Sequence, residues 1–486
     1  MKRIGALVLT AVLLASCGGV GSSDEASSGG SGGKVSGQIR TMGFGQEDVI
    51  AKTRVKEVRA QYPDLDIKVN SGGFDEQQFL SAVASGEPPD VVYLDRSELS
   101  SYAARGALTP MDDCIASRGL DMGLYREAAV NQVTYKDQVY GIPEFNGVRI
   151  MLENTQALDD VGMSAGDLST TDWTSLESAA TKLEKSSGSD IERIGFDPKI
   201  PEFLPLWSAA NGGQLLSEDG LTAELNSPEN VEALDYAASL VDKQQGWAKF
   251  KAFRDTWDFF GDSNQFVEDQ VGAFPMEDWY LDVLADVSPD APVHAEAFTD
   301  RDGNPLTYAT GLAWAIPKGA ANPDAACAFA ISMTATDTWL AAAKASKADR
   351  EKNGGFYLGT WTANTEADKK IFDEVYEPSG QESLDQAVKV VQSVQSVAVV
   401  DLPARRLPRS RRRGKTRRCE CWKVTRPPRS PWIKHRRKRR RPSTKRLNEC
   451  PGDAGGLRLH LTVDHWLHLL HRGAGAGDLG AVVHRL

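Results

Sequence analysis

Histidine is nearly absent from the first 400 residues of this chain of 486. Only His294 lies there, and the other six of the seven histidines follow position 400. Because histidine is the side chain that most often moves protons at neutral pH, catalytic schemes built on it are almost excluded. The sequence also contains no His-Glu-x-x-His zinc motif and no phosphate-binding Walker loop. We therefore expect neither a metal nor a cofactor.

No apolar run in the sequence is long enough to cross a bilayer as a helix. The longest N-terminal run covers about ten residues, 6–15, after Lys2 and Arg3, and it ends in Leu14-Ala15-Ser16-Cys17. A cysteine directly after small residues, followed by a Gly/Ser-rich stretch, is typical of a bacterial lipoprotein signal. The pattern predicts a signal peptide over 1–16, lipidation of Cys17 and a tether over 17–34.

Cysteine is also scarce, with six in the whole chain. Cys17 belongs to the signal, and three cysteines lie after position 400. Cys114 and Cys327 remain for the body of an exported protein, where they can form one disulfide or stay as two buried thiols.

The charge of the chain changes sign at about position 400. Residues 401–486 contain 24 of the 56 Lys and Arg but only 6 of the 67 Asp and Glu, whereas the first 400 residues hold 32 basic and 61 acidic groups. A dense basic segment favours nucleic acid or another anionic polymer as a partner. Neither nucleic-acid binding nor a metal site suits a tethered extracellular protein. The cysteine spacing of the tail also matches no zinc module well.

A shifted reading frame near codon 401 is a different interpretation of the tail. Read from the third base of each preceding codon, residues 427–445 allow an acidic, helix-forming string. On this hypothesis 401–486 is an aberrant, disordered tail without function. A genuine basic arm and a contact with anionic cell-envelope polymers are the alternatives.

The acidic body alternates strand and helix patterns from residue 35 onward. Strands are predicted at 35–41, 65–69 and 90–94, with amphipathic helices at 47–62 and 75–84 between them. This order is typical of parallel pairing through right-handed crossovers, and ligands on such sheets bind beyond the carboxyl ends of the strands.

Three motifs give the body a resemblance to a known family. They are the run from Phe74 to Val92, the segment Tyr140-Gly141-Ile142-Pro143, and the segment from Thr310 to Pro317. Together, in this order, they resemble the family 1 extracellular solute-binding proteins of ABC importers, the maltose-binding-protein type. The resemblance covers residues 35 to about 400.

The resemblance implies a periplasmic-binding-protein-like α/β fold of two lobes joined by hinge strands. Lobe 1 would contain 35–145 plus 311–360, and lobe 2 would contain 146–310 plus 361–400. Both Cys114 and Cys327 then fall in lobe 1, which favours the disulfide. The implied protein is a lipid-anchored monomer on the outer face of the cell membrane. It would capture a sugar or short oligosaccharide and deliver it to the permease subunits of an ABC transporter.

Candidate ligand-binding residues lie in segments that this fold would bring to the cleft. Sugar rings pack on aromatic faces while their hydroxyls bond carboxylates, amides and arginine. For each tryptophan the alternative is core packing, and for Asp95 and Arg96 it is a helix cap with a salt bridge. We expect Arg149 to hold a carboxylate of the crossing by a forked contact. The candidates are Phe44, Phe74, Asp95, Arg96, Glu144, Asn146, Arg149, Trp207, Trp257, Trp279, Gly311 and Trp314.

Two other classes of protein compete with this interpretation. A secreted carbohydrate-active enzyme would need paired carboxylates, and Glu144 with Glu277 or Asp278 could supply them. A nucleic-acid-binding protein would act through the basic tail and would lose binding on truncation at residue 400.

Overall fold

The computed structural model describes residues 34–217 and 222–400. The predicted signal, Cys17 and the tail from 401 lie outside these residues. The helices in the described part are α1 Val49–Gln61, α2 Glu76–Ser85, α3 Arg96–Ala104, α4 Asp112–Ser117, α5 Glu127–Gln132, α6 Thr155–Asp160, α7 Trp173–Leu183, α8 Leu204–Ala210, α9 Pro228–Lys243, α10 Trp247–Arg254, α11 Tyr280–Val287, α12 Pro323–Met333, α13 Thr336–Lys352, α14 Thr365–Glu374 and α15 Glu382–Val394. The strands are β1 Gly37–Met42, β2 Leu65–Lys68, β3 Val91–Asp95, β4 Thr134–Tyr135, β5 Gln138–Val139, β6 Gly141–Pro143, β7 Arg149–Asn154, β8 Lys185–Ser187, β9 Asp190–Phe196, β10 Val271–Glu277, β11 Val293–Glu296, β12 Thr307–Tyr308, β13 Leu312–Ala315 and β14 Ala398–Val399.

The first sheet has the strand order β2-β1-β3-β13-β6. β1 pairs in parallel with β2 and β3, as the alternation of strands and helices predicts, and β13 runs antiparallel to β3 and β6. β3 is a continuous apolar run that is buried up to its last residue, Asp95. Such a run is typical of a central strand covered on both faces.

The second sheet has the strand order β11-β7-β10-β9-β8. β10 pairs in parallel with β9 and antiparallel with β7, so this sheet is mixed as well. All six residues of β7 are buried, and Ile150, Met151 and Leu152 belong to a separate apolar core. The two α/β units expected from the resemblance are therefore present, each with its own core.

Short-range signals explain where the first helices begin and end. Asp48 and Asp75 each accept a hydrogen bond from the backbone N–H three residues later, at Ala51 and Gln78, and so cap α1 and α2. Gly86 ends α2 with φ of 79°, a left-handed conformation that glycine adopts without steric cost.

Two connections join the sheets: 144–148 between β6 and β7, and 297–311, which contains β12, between β11 and β13. Helix α13 packs along α1 of the first unit, and α14 packs on α13. Helix α15 packs on β11 and β7 of the second unit. The predicted range of lobe 2 includes α14, whose contacts lie with α13, and the exact lobe boundaries stay a prediction.

Cys114 and Cys327 form a disulfide across 213 residues of sequence. It joins α4 to α12, and both cysteines pack in or against the core of the first unit. Cys327 is fully buried there. In the structure the two cysteines therefore form a disulfide and are not two free thiols.

Candidate functional site

The first unit presents Asp95 and Arg96 at the carboxyl end of β3. Asp95 is exposed and caps α3, its carboxylate accepting hydrogen bonds from the backbone N–H and the hydroxyl of Ser97. Arg96 is fully buried and turns away from solvent. Its guanidinium donates hydrogen bonds to the carbonyls of Phe145, over 2.8 Å, and Thr310, over 2.6 Å. Asp95 therefore acts as a helix cap, which is the alternative to ligand binding. Arg96 forms its hydrogen bonds with the hinge rather than a salt bridge with Asp95.

The second unit presents Glu277 at the carboxyl end of β10. Its side chain is 22% exposed, and Arg149 Nη2 donates to it over 3.2 Å. The other terminal nitrogen of Arg149 donates to the Tyr308 carbonyl and to the Thr310 hydroxyl. The contact to Glu277 is thus single rather than forked, and the carboxylate lies on β10 rather than at the crossing.

Both strand ends lie against the connections 144–148 and 297–311, which we call the two hinge segments. Arg96, after β3, donates to the carbonyls of Phe145 and Thr310, and Asp278, after β10, accepts from the Val148 N–H. Gly147 and Thr310 bond through their backbones, which ties the first connection to the second. Asn146, on the first connection, is fully buried, and its side-chain oxygen accepts a hydrogen bond of 3.1 Å from Arg96. A Cβ on Gly311, whose φ is 155°, would lie 2.2 Å from the carbonyl oxygen of Phe145, so only glycine fits there. The structure therefore brings Asp95, Arg96, Asn146, Arg149 and Gly311 together around one hinge.

Glu144 lies at the same crossing but inside the first unit. It is fully buried, accepts a hydrogen bond from the Tyr93 hydroxyl over 2.8 Å, and pairs with Arg54 over 2.7 Å. Burial raises the pKa of Glu144, although Arg54 beside it acts in the opposite direction. Both partners bind Oε1 of a carboxylate that we predicted to bind a ligand, and Oε2 is buried as well.

The aromatic candidates separate into buried and accessible ones. Phe44, Trp207, Trp257 and Trp314 are buried in the cores, and the Trp207 indole donates to the carbonyl of Pro198. These four side chains therefore pack in the cores, which is the alternative to contact with a ligand.

Trp279 is half-buried, two residues after Glu277, and it stacks on the ring of Phe260 with 15° between the planes. Phe260 is 37% exposed. Phe74, on the first unit, is half-buried and packs on Phe79 and Tyr102. Trp279, Phe260 and Phe74 therefore offer accessible aromatic surface.

Phe260 belongs to segment 253–261, whose aromatic composition is unusual for a surface loop and predicts either a rim of the site or part of the core of lobe 2. Trp361 is a residue that the sequence does not indicate. Trp361 is half-buried, stacks on Phe372 at 4.2 Å, and accepts from the Asn146 N–H through its carbonyl. No local pattern indicates Trp361, because its position follows from the return of the chain to the hinge.

Asp278 is a buried carboxylate next to the hinge. Burial raises its pKa to about 7, while the Val148 N–H, which donates to it over 3.1 Å, favours the charged form. Within residues 34–217 and 222–400, no group of three or more His, Cys, Asp and Glu side chains is placed to hold a metal ion.

A recess of about 290 Å³ lies between α14 and the end of α15. Trp361 and Phe372 form its aromatic wall, and Gln395 lines it as well. Its charged groups pair with one another, Arg126 with Asp368 and Lys369 with Asp373. This recess is separate from the ends of β3 and β10.

The comparison with protein families decides the identity of the chain. Residues 53–348 match the family of bacterial extracellular solute-binding proteins. The chain belongs to this family. Its members are binding proteins rather than enzymes, so the solute-binding protein is not the carbohydrate-active enzyme of the alternative hypothesis.

Solved structures show the same periplasmic-binding-protein-like fold as this solute-binding protein. CpMnBP1 with mannotriose bound is 23% identical, with a TM-score of 0.59, and the match covers 76% of this chain and 90% of that one. Lmo0181 from Listeria monocytogenes, in complex with cycloalternan, is 21% identical over 75% of this chain and 88% of that one, with a TM-score of 0.58. The sugar-binding protein MalE from Xanthomonas citri is 14% identical over 76% and 87%, with a TM-score of 0.57.

No helix in the described part of the solute-binding protein is both long and apolar enough to cross a membrane.

Proposed function

We propose that this solute-binding protein captures a sugar or short oligosaccharide between its two lobes and delivers it to the permease of an ABC transporter. The observation that carries the proposal is that two carboxylate-bearing strand ends, one from each unit, lie against the same pair of hinge segments. Asp95 ends β3 in the first unit, and Glu277 ends β10 in the second, with accessible aromatic rings beside Glu277. The saccharides in the related structures support the same class of ligand.

The chemistry of these groups suits a saccharide. Asp95 and Glu277 can each accept two hydroxyl hydrogen bonds, and Arg149 holds the Glu277 carboxylate in place. Trp279, stacked on Phe260, offers a ring face to the apolar side of a pyranose. Closure of the lobes over the hinge would then surround the ligand from both sides, and the permease would receive the closed form.

Calorimetric titration with mannobiose, mannotriose, maltose and trehalose tests this proposal. We expect at least one of them to bind with a micromolar dissociation constant, equivalent to about 8 kcal/mol. The same saccharide should raise the melting temperature of the protein and stay intact during incubation. If none of a broad saccharide set binds, while amino acids or peptides do, the proposed ligand class is wrong.

The cellular position follows from the N-terminal pattern and is part of the proposal. Lipidated Cys17, which lies outside the described residues, would hold the protein at the outer face of the membrane near its permease. We propose further that the basic tail from 401 is a frameshift product without a nucleic-acid partner. Sequencing the gene across codons 395–450 tests this, and intact in-frame relatives of the tail would contradict it.

A further inference from the structure

We infer that Arg96, Asn146 and Gln395 form a polar relay that sets how far the two lobes stand apart in the ligand-free protein. The inference rests on the proposed capture by lobe closure. It assigns to Arg96 and Asn146 a positioning role, in place of the direct sugar contacts that the sequence suggested.

The relay begins at Arg96, which binds both hinge segments at once. Its guanidinium donates one hydrogen bond of 2.8 Å to the carbonyl of Phe145 on the first connection. It donates another of 2.6 Å to the carbonyl of Thr310 on the second. The backbone N–H of Arg96 also donates to the carbonyl of Gly311. A rotation of one lobe about these segments therefore moves groups that Arg96 holds.

Asn146 continues the relay toward the second unit. Its side-chain oxygen accepts from Arg96 over 3.1 Å, and its amide nitrogen donates to Gln395 Oε1 over 2.8 Å. Gln395 lies directly after α15, the helix that packs on β11 and β7, and its own amide donates back to the Asn146 carbonyl over 3.4 Å. The relay thus joins α3 of the first unit, both hinge segments and the end of α15.

Arg96 determines which way the side-chain amides of Asn146 and Gln395 are oriented. A guanidinium only donates hydrogen bonds, so the Asn146 oxygen must face Arg96. The Asn146 NH₂ group then faces Gln395, which must present its oxygen. Arg96 and Asn146 are fully buried and Gln395 is 5% exposed, so water cannot easily replace a lost partner.

Because these orientations depend on one another, substitutions at Gln395 test the relay. Gln395→Glu keeps an acceptor opposite the Asn146 NH₂ group, whereas Gln395→Lys presents only donors and forces the Asn146 amide to turn its NH₂ group toward Arg96. Gln392, three residues earlier and exposed, supplies matched controls, Gln392→Glu and Gln392→Lys, with the same charge changes at the edge of the same recess.

The measurement is small-angle X-ray scattering of the full chain without ligand, after circular dichroism has confirmed folding. We expect Gln395→Lys to change the radius of gyration of the free protein, and the two controls and Gln395→Glu to leave it at the parental value. The saccharide found for the parent should then bind Gln395→Lys with a dissociation constant changed about tenfold, while its saturated form has the parental radius.

Two results would overturn the relay. One is an unchanged radius for folded Gln395→Lys, and the other is an equal change in Gln392→Lys. If Gln395→Lys does not fold, Asn146→Leu and Gln395→Leu with their double variant take its place. Their effects on the radius must be non-additive, because either change interrupts the same relay. Failure of the parent to bind any saccharide would reject the proposed function instead, since the scattering comparison uses no ligand.

Discussion

Arg54 Nη1 lies 2.7 Å from Glu144 Oε1, and neither side chain reaches solvent. The Arg54 guanidinium also lies 4.2 Å from the ring centre of Trp339, and Tyr93 donates to the same Glu144 oxygen. Glu144 is the first residue of the connection 144–148, so the pair ties this connection to α1. Its place inside one unit makes it part of the scaffold that holds the hinge.

Glu144→Gln should lower the free energy of unfolding by about 3 kcal/mol, because removing one member of a buried ion pair leaves the other charge uncompensated. Urea unfolding measures this loss. The saccharide dissociation constant of the folded variant should stay within about threefold of the parental value. A large loss of affinity without a loss of stability would instead return Glu144 to the ligand site.

Trp279→Ala should weaken saccharide binding about tenfold or more, since it removes the accessible ring that stacks on Phe260. Calorimetric titration measures the change. The matched control is Trp247→Ala, because Trp247 is 42% exposed on α10 and lies against Arg254 rather than at the hinge. Equal losses in both variants would show that the effect is not specific to the site.

Glu153 makes stability depend on pH. Burial raises its pKa to about 7, with nearby Glu296 and Asp167 acting in the same direction. The folded state therefore binds a proton more tightly than the unfolded state does. Its contribution to stability is complete below about pH 4, the unfolded pKa, and is lost as the pH rises through about 7.

Glu153→Gln should remove this dependence, because a neutral amide still accepts from the Gly166 N–H. Relative to the parent, the variant should gain about 3 kcal/mol of unfolding free energy at pH values above about 8, and little at pH values near 4. Urea unfolding across this range measures the difference. Exposed Glu192→Gln on β9 is the control, and a pH-independent difference for Glu153→Gln would contradict the assignment.

The Cys114–Cys327 disulfide should contribute about 2–5 kcal/mol to stability, because it closes a loop of 213 residues in the unfolded chain. Reduction with a thiol should lower the melting temperature of the parent. The double variant Cys114→Ser, Cys327→Ser should melt at the same temperature with and without thiol. A parental melting temperature that ignores reduction would contradict a stabilising bridge.

Cys17→Ser should release the protein from the membrane fraction into the medium, because the thiol that accepts lipid is gone. Cell fractionation with immunoblotting measures the distribution. Cys419→Ser, in the tail, should leave the protein in the membrane fraction. Membrane retention of Cys17→Ser would show that lipidation at this residue does not anchor the chain.

The sequence predicted the first five elements of the fold to within a few residues. Caps such as Asp48 and Asp75, the buried run of β3 and the spacing of apolar residues act over a few positions, so they can be recognised in the chain itself. Three motifs in order also identified the family, which the comparison confirms.

The roles of the site residues were harder to predict. Asp95 and Arg96 are neighbours in sequence, yet one is exposed and the other is fully buried in the hinge. The sequence favours Trp279 and Trp314 over the other tryptophans, and of these two only Trp279 has accessible surface. These differences depend on Thr310, Phe145 and other groups far away in the chain.

The sequence alone therefore determined the α/β class, the family, the candidate segments and the pair of body cysteines, because each of these depends on local pattern or composition. Only the tertiary structure decided that Cys114 meets Cys327, that Glu144 pairs with Arg54, and that Arg96 binds both hinge segments. Burial and hydrogen-bond partners arise from contacts between segments up to hundreds of residues apart. The same carboxylate or guanidinium can face a ligand or a core with no change in its neighbours along the chain.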